Sequence, residues 1–198
     1  MRQIHGRPVG VIVQLGCGLE TTYHRCDNGK THWYAVDLPH VIEYRRGLLP
    51  EPERECYISG NAFAKDWIKK VRDEVLDTPI LVIAGGLFHY FEENKVIALL
   101  RMIGQFGNMK VVFDTVNRKG MAMMQKKYMR QVGHADAQMF FYVDAVEELA
   151  AKIGGNAKVI ADEPYYRYIP KNGLKMSTKV SMAVSDRFCM VKMIQLKL

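Results

Sequence analysis

Along this chain, apolar runs of strand length alternate with amphipathic helical segments. Largely apolar runs of that length mark strands buried on both faces, and the 3.6-residue period between them marks helices. The pattern predicts strands near 10–16, 31–37, 55–60, 80–85 and 110–116, and helices near 20–26, 39–49, 65–76, 93–106, 119–132 and 143–153. Pro39 stands at the start of the second helix, where its missing N–H costs little, and Gly107-Asn108 and Gly154-Gly155 close two others as C-cap residues do. Such β-α-β-α alternation predicts an α/β fold, Rossmann-like and doubly wound, with a mostly parallel seven-stranded sheet and helices on both faces. The last third reads differently. Residues 159–169 form a strand interrupted by Pro164, and 188–198 form a long terminal strand. No helical pattern of convincing length separates them, so an antiparallel pair is expected at one sheet edge. With no internal repeat and no low-complexity linker, residues 1–198 are expected to form a single domain.

The first strand breaks directly into Gly16-Cys17-Gly18, and the second ends in Asp37. Glycines at a strand-to-helix turn let the backbone turn tightly and approach a ligand, and an acid at the tip of the next strand can accept hydrogen bonds from both ribose hydroxyls. Thr21 stands where the dinucleotide fingerprint Gly-x-Gly-x-x-Gly needs its third glycine. The pattern therefore favours S-adenosylmethionine, which has no pyrophosphate, over NAD, and a dehydrogenase is the weaker reading. Taken alone, Asp37 is also placed to cap the helix that starts at Pro39. In open parallel sheets the ligand crevice lies at the carboxyl ends of the strands. That brings Gly16–Gly18, Asp37, Ser59–Ala62, Ala84–Tyr90 and Asp114–Asn117 to one place.

Composition changes this picture little. The 198 residues are 48% apolar and 25% charged, as in an ordinary globular domain. The longest apolar runs are strand-length, so no transmembrane helix is expected, and the N-terminus shows no signal-peptide pattern. Cys17, Cys26, Cys56 and Cys189 are scattered, without metal spacing, and read as free thiols of a cytoplasmic protein. No metal site is suggested. The formal charge of +7 is densest at Arg118, Lys119, Lys126, Lys127 and Arg130. This group fits a solvated helix face, or a surface for a partner or an anionic substrate.

The stretch Val13-Gln-Leu-Gly-Cys-Gly-Leu-Glu-Thr21 with Tyr23-His-Arg25, followed by Trp33-Tyr-Ala-Val-Asp-Leu-Pro39, resembles the class I S-adenosylmethionine-dependent methyltransferases. More narrowly it is similar to the group of leucine carboxyl methyltransferase and the tetracenomycin-type polyketide O-methyltransferases. Ala84-Gly-Gly-Leu-Phe-His-Tyr90 and Val112-Phe-Asp114 match that group's fourth- and fifth-strand motifs. The resemblance implies that Gly16, Cys17 and Gly18 pass the methionine part and ribose of the cofactor and that Asp37 holds the ribose hydroxyls. Leu38 would lie against the adenine, Asn61 and Ala62 would meet its edge, and Ala84 and Gly85 would offer carbonyls near the methionine amine. Three departures stand out. Glu20-Thr21-Thr22 replaces the group's Asp-Thr-Arg, and Gly85 stands where an acid is usual. The first strand starts near residue 10, where the group carries a helical extension that covers the site. The last departure predicts a shortened relative whose cover comes from elsewhere, such as a second subunit, or one without activity.

The expected activity is transfer of a methyl group to a carboxylate or hydroxyl of a small molecule. His89 and Tyr90, just past the fourth strand, are the catalytic candidates: a phenol with a pKa of about 10 gains from a base, whereas a carboxylate needs only positioning. His89 equally fits a packed loop histidine, and Asn61 a local turn. The segment from Met121 to Tyr142 reads as core, with a share in the acceptor site as the alternative. A nucleic-acid methyltransferase is disfavoured because no Asn/Asp-Pro-Pro-aromatic motif follows the fourth strand, although the charge keeps it in view. A non-catalytic cofactor-binding protein is the third reading. A homo-oligomer is also possible on this sequence.

Overall fold

The fold is taken from a computed structural model, which describes residues 10–128 and 138–198. Seven strands form one sheet in the order β3-β2-β1-β4-β5-β7-β6. They are β1 (Val11–Leu15), β2 (His32–Asp37), β3 (Glu55–Ser59), β4 (Ile80–Ala84), β5 (Met109–Val116), β6 (Lys158–Pro164) and β7 (Val191–Lys197). The first five run parallel, and β7 runs antiparallel to both β5 and β6. Chain order reverses beside β1, with β2 on one side and β4 on the other, which is the switch point where such sheets open a crevice.

The helices are α1 (Thr22–Cys26), α2 (Pro39–Leu48), α3 (Asp66–Val75), α4 (Glu93–Gly104), α5 (Arg118–Met123), α6 (Val146–Ile153) and α7 (Met176–Arg187). On one face, Trp67, Ile68 and Val71 of α3, six residues of α4 and Val146, Leu149 and Ile153 of α6 bury against Val13, Val36, Val82, Val111 and Phe113. Each fully buried aliphatic or aromatic side chain here contributes about 1.5–3 kcal/mol relative to exposure. The opposite face is covered by α1, through Tyr23 packed edge-on against Trp33 at 5.9 Å between ring centroids, and by α2 through Ile42. Over β4, β5 and β7 that face opens into a cavity, and this is where the site lies.

Two expectations are corrected. A 12-residue helix, α7, separates the last two strands. It escaped the periodicity argument because it buries only Ser185 and leaves Met176, Val180 and Val184 exposed, so its apolar residues mark no core-facing stripe. The terminal strand begins at Val191 rather than 188, because Cys189 takes a φ of 47° that no strand accommodates. The antiparallel pair lies at the sheet edge, with β7 inside and β6 outermost. The helix expected over 119–132 is α5 continued by a π-type turn, Met124–Tyr128, and its remainder lies outside the described residues, as do Arg130 and the side chain of Lys127. Met139 and Phe141 of the Met-rich segment are core, Phe141 packing on Phe88 and Phe113.

Candidate functional site

The registers Leu15↔Val36, Asp37↔Ser59, Gln14↔Ile83 and Ala84↔Phe113 align the carboxyl ends of the five parallel strands. Gly16 leaves β1 at φ 64° and Gly18 follows at φ 48°, both in the left-handed region that glycine enters without penalty. Gly16 also admits a close approach: a Cβ there would meet Leu87 Cδ1 at 2.9 Å. At Gly18 a Cβ would meet nothing within 4 Å, so the turn offers its bare backbone to open space.

Asp37 clamps this turn. Its Oδ2 accepts the Gly18 N–H at 2.8 Å, its Oδ1 accepts the Leu38 N–H at 2.7 Å, and its carbonyl accepts the Gly60 N–H at 2.8 Å. The N-cap position of α2 is Leu38, without a side-chain cap, so Asp37 serves the glycine turn and not the helix. A carboxylate has about four lone-pair sites. Two are used here, and two receive no donor among the described residues. Leu38 stands beside it 44% exposed, an uncovered apolar contact at the rim. Asn61 accepts the Phe63 N–H at 2.9 Å in a local turn, and Ala62 accepts the Trp67 indole N–H. The Gly60–Asp37 bond brings this loop to the same rim.

Arg45 escaped the sequence reading and holds the turn from beneath. It is fully buried on α2, and one guanidinium nitrogen donates to the carbonyls of Gly18 (3.1 Å) and Glu20 (2.8 Å). The other pairs with Glu55 at 3.3 Å, both side chains buried, and the guanidinium lies over the Tyr57 ring at 4.8 Å. Burial raises the Glu55 carboxyl, and Arg45 opposes that rise. The available signal was spacing: Arg45 follows the core residue Ile42 by three, on the same helix face. Cys17 sits in this cluster, wholly buried, and burial pushes its thiol up to about 12. Its side chain is a packing group, and only its backbone belongs to the turn.

On the β4 side, Asp114 at the end of β5 gathers the loop. Oδ1 accepts the Gly86 N–H at 2.6 Å, and Oδ2 lies 3.3 Å from His89 Nε2. Burial pushes the Asp114 carboxyl up, but the His89 and Gly86 donors outweigh it and hold the group below its ordinary value. An ionised carboxylate only accepts, so His89 carries its proton on Nε2. His89 is 6% exposed and its Nδ1 is buried without a partner among the described residues. Tyr90 is half-exposed. A cavity of about 390 Å³ opens beside this loop, lined by Ala84, Gly85, Gly86 and Asp114, with Glu20 and Tyr165 at its sides and Leu81, Ile83, Val112 and Met193 as apolar floor. His89 and Tyr90 are not among its lining residues. A hollow of about 720 Å³ lies at the other end of the sheet, by Gly107, Gly154 and Lys158, far from the glycine turn in the direction of the strands.

Among the described residues no group of three or more His, Cys, Asp or Glu is placed to hold a metal ion, and no helix is long and apolar enough to cross a membrane. Of the basic group, Arg118 pairs with Asp144 at 3.4 Å and lies over Tyr142.

A glycine turn at the switch point, with an acid clamped across it, gives this doubly wound seven-stranded sheet a candidate cofactor crevice at the carboxyl ends of β1 and β2. The profile of the leucine carboxyl methyltransferase family matches residues 2–104, and the chain belongs to that family. It is 35% identical over 111 residues to the tetracenomycin polyketide synthesis O-methyltransferase TcmP of Streptomyces glaucescens, covering 55% of this chain and 40% of that protein. The chain thus spans about two fifths of the curated relative's length. Among solved structures, a S-adenosylmethionine-dependent methyltransferase from Anabaena variabilis superposes with a TM-score of 0.66 at 11% identity, over 99% of this chain and 80% of the other. A methyltransferase-like protein from Thermobifida fusca gives 0.65 at 14% identity, over 96% and 73%. These two likenesses establish the fold.

Proposed function

We propose that this chain is an O-methyltransferase domain that binds S-adenosylmethionine across Gly16–Gly18 and Asp37 and transfers its methyl group to a carboxylate or hydroxyl of a small molecule. The observation that carries the reading is the Asp37 clamp: one carboxylate fixes the bare Gly18 backbone and accepts only one donor on each oxygen, which leaves it capacity to accept more. The family membership and the likeness to TcmP support the same chemistry.

On this reading the backbone of Gly16, Cys17 and Gly18 borders the methionine part and ribose, and Asp37 accepts the ribose hydroxyls. Leu38, Asn61 and Ala62 border the adenine, and the carbonyls of Ala84 and Gly85 face the methionine end. Bound S-adenosylmethionine supplies a sulfonium methyl open to in-line attack. The chain's part is to hold the acceptor oxygen in line and to exclude water. For a carboxylate acceptor that is sufficient, since the nucleophile is already ionised at neutral pH. For a hydroxyl acceptor the base candidates are His89, held by Asp114 through Nε2, and the half-exposed Tyr90; neither lines the cavity, so either acts as base only if the bound acceptor reaches past Gly86 to the loop after β4.

The test is transfer of a labelled methyl group from S-adenosylmethionine to a panel of aromatic hydroxy and carboxylic acids, with RNA and a peptide α-carboxylate as further arms. Label in a small-molecule acid or phenol, abolished by Asp37→Ala, is the expected result. Label only in RNA or only in the peptide would overturn the acceptor assignment.

A further inference from the structure

We propose that Glu20 holds the α-ammonium group of the cofactor's amino-acid portion, a role placed on the turn after β1 in this chain rather than on β4. The inference rests on the cofactor reading above. Glu20 is exposed, yet its carboxylate is fixed. Gln14 Nε2 donates to Oε2 at 2.6 Å and the Thr22 hydroxyl donates to the same oxygen at 3.0 Å. The backbone beneath is fixed too, because Arg45 holds the Glu20 carbonyl and the Glu20 N–H donates to the Cys17 carbonyl at 3.0 Å. Both side-chain donors go to one oxygen, so Oε1 has no donor among the described residues.

That free oxygen points at the end of β4. A Cβ built on Gly85 would lie 3.7 Å from Glu20 Oε1, so the carboxylate occupies the space that a side chain at position 85 would otherwise fill. The two positions are neighbours in space although they sit on different elements. The cavity they share is lined by Glu20 and Asp114 and by no lysine or arginine, which makes it a place for a cation. Tyr165 reports the same field: burial raises its phenol, and Asp114 and Glu20 raise it further. Asp114 already receives a donor on each oxygen, from Gly86 and His89. Glu20 Oε1 is the carboxylate oxygen at this cavity that receives no donor at all among the described residues, and an ammonium group can donate to it.

The test compares S-adenosylhomocysteine with 5′-methylthioadenosine, which has the same nucleoside and thioether but neither ammonium nor carboxylate. Both are titrated calorimetrically into the wild type, Glu20→Gln, Glu20→Ala and the double variant Glu20→Ala/Gly85→Glu. Gly85 has no positive φ, so its backbone accepts a glutamate. The expected result is a loss of about tenfold or more for S-adenosylhomocysteine in both single variants, the cost of one charge-assisted hydrogen bond. Affinity for 5′-methylthioadenosine stays unchanged, and the double variant regains most of the loss. Equal weakening of both ligands would overturn the assignment, since it would mean that Glu20 only shapes the turn. So would unchanged affinity for both, or a double variant that regains nothing. A wild type that binds neither ligand would overturn the cofactor reading itself.

Discussion

Arg45→Ala is the perturbation whose consequences the structure specifies most fully. The arginine is completely buried, and its removal leaves the Glu55 carboxylate, 1% exposed in its side chain, without a counter-charge. It also frees the carbonyls of Gly18 and Glu20. Breaking a buried pair from one side costs about 3–5 kcal/mol, because an uncompensated charge stays behind. For a domain of this size each kcal/mol lowers the melting temperature by about 2–4 °C, so a fall of roughly 6–20 °C is expected. The double variant Arg45→Ala/Glu55→Gln removes both charges and should fall by much less than the sum of Arg45→Ala and Glu55→Gln. The deficit should also depend on pH. Burial already raises the Glu55 carboxyl and Arg45 opposes that rise, so without Arg45 the folded state favours the protonated acid. An acid whose pKa is higher when folded stabilises the fold as pH falls, and the deficit of Arg45→Ala should narrow between neutrality and the ordinary carboxylate range. Thermal denaturation of the four proteins across that range is the assay. A loss below about 1 kcal/mol, typical of exposed pairs, or strict additivity in the cycle, would refute the reasoning.

Asp37→Ala removes the Gly18 clamp and the ribose acceptor together, and should weaken S-adenosylhomocysteine binding by about tenfold or more in calorimetry; unchanged affinity would refute the ribose assignment. Gly16→Ala combines a left-handed φ, about 1–2 kcal/mol for a residue with a Cβ, with a contact to Leu87 at 2.9 Å. Trimming the contact in Gly16→Ala/Leu87→Ala should therefore recover part of the lost binding but none of the backbone cost. Asp114→Asn should lower stability at neutral pH by about 1.5–3 kcal/mol, the scale of hydrogen bonds to a charged group. Because the folded carboxyl is held below its unfolded value, its stabilisation is present above that value and is lost as pH falls through the folded one. Chemical denaturation of wild type and variant should thus converge below about pH 4.

The parallel core was legible because the strands from β1 to β5 are largely apolar stretches of strand length that alternate with helical segments, and local pattern fixes such elements. The order β5-β7-β6 was not, because it is decided by pairing between segments distant in sequence. Helix α7 was invisible because its exposed Val and Met residues make no contact with the core for a period to record. The meeting of Gly16, Gly18 and Asp37 was legible because a strand-to-helix turn and the tip of the next parallel strand come together at the carboxyl ends of such a sheet. Arg45 gave no signal beyond its spacing from Ile42, and only the fold shows that Glu55 and two carbonyls receive it. Glu20 read as a departure from a motif, and its nearness to Gly85 is visible only once β1 and β4 are paired.

Calorimetric titration of the purified chain with S-adenosylmethionine, S-adenosylhomocysteine and NAD tests most directly whether Gly16–Gly18 and Asp37 form the proposed site for an adenosyl amino acid and not for a dinucleotide. Micromolar binding of both adenosyl ligands and none of NAD is expected. Binding of NAD in their place, or of no ligand at all, would contradict it.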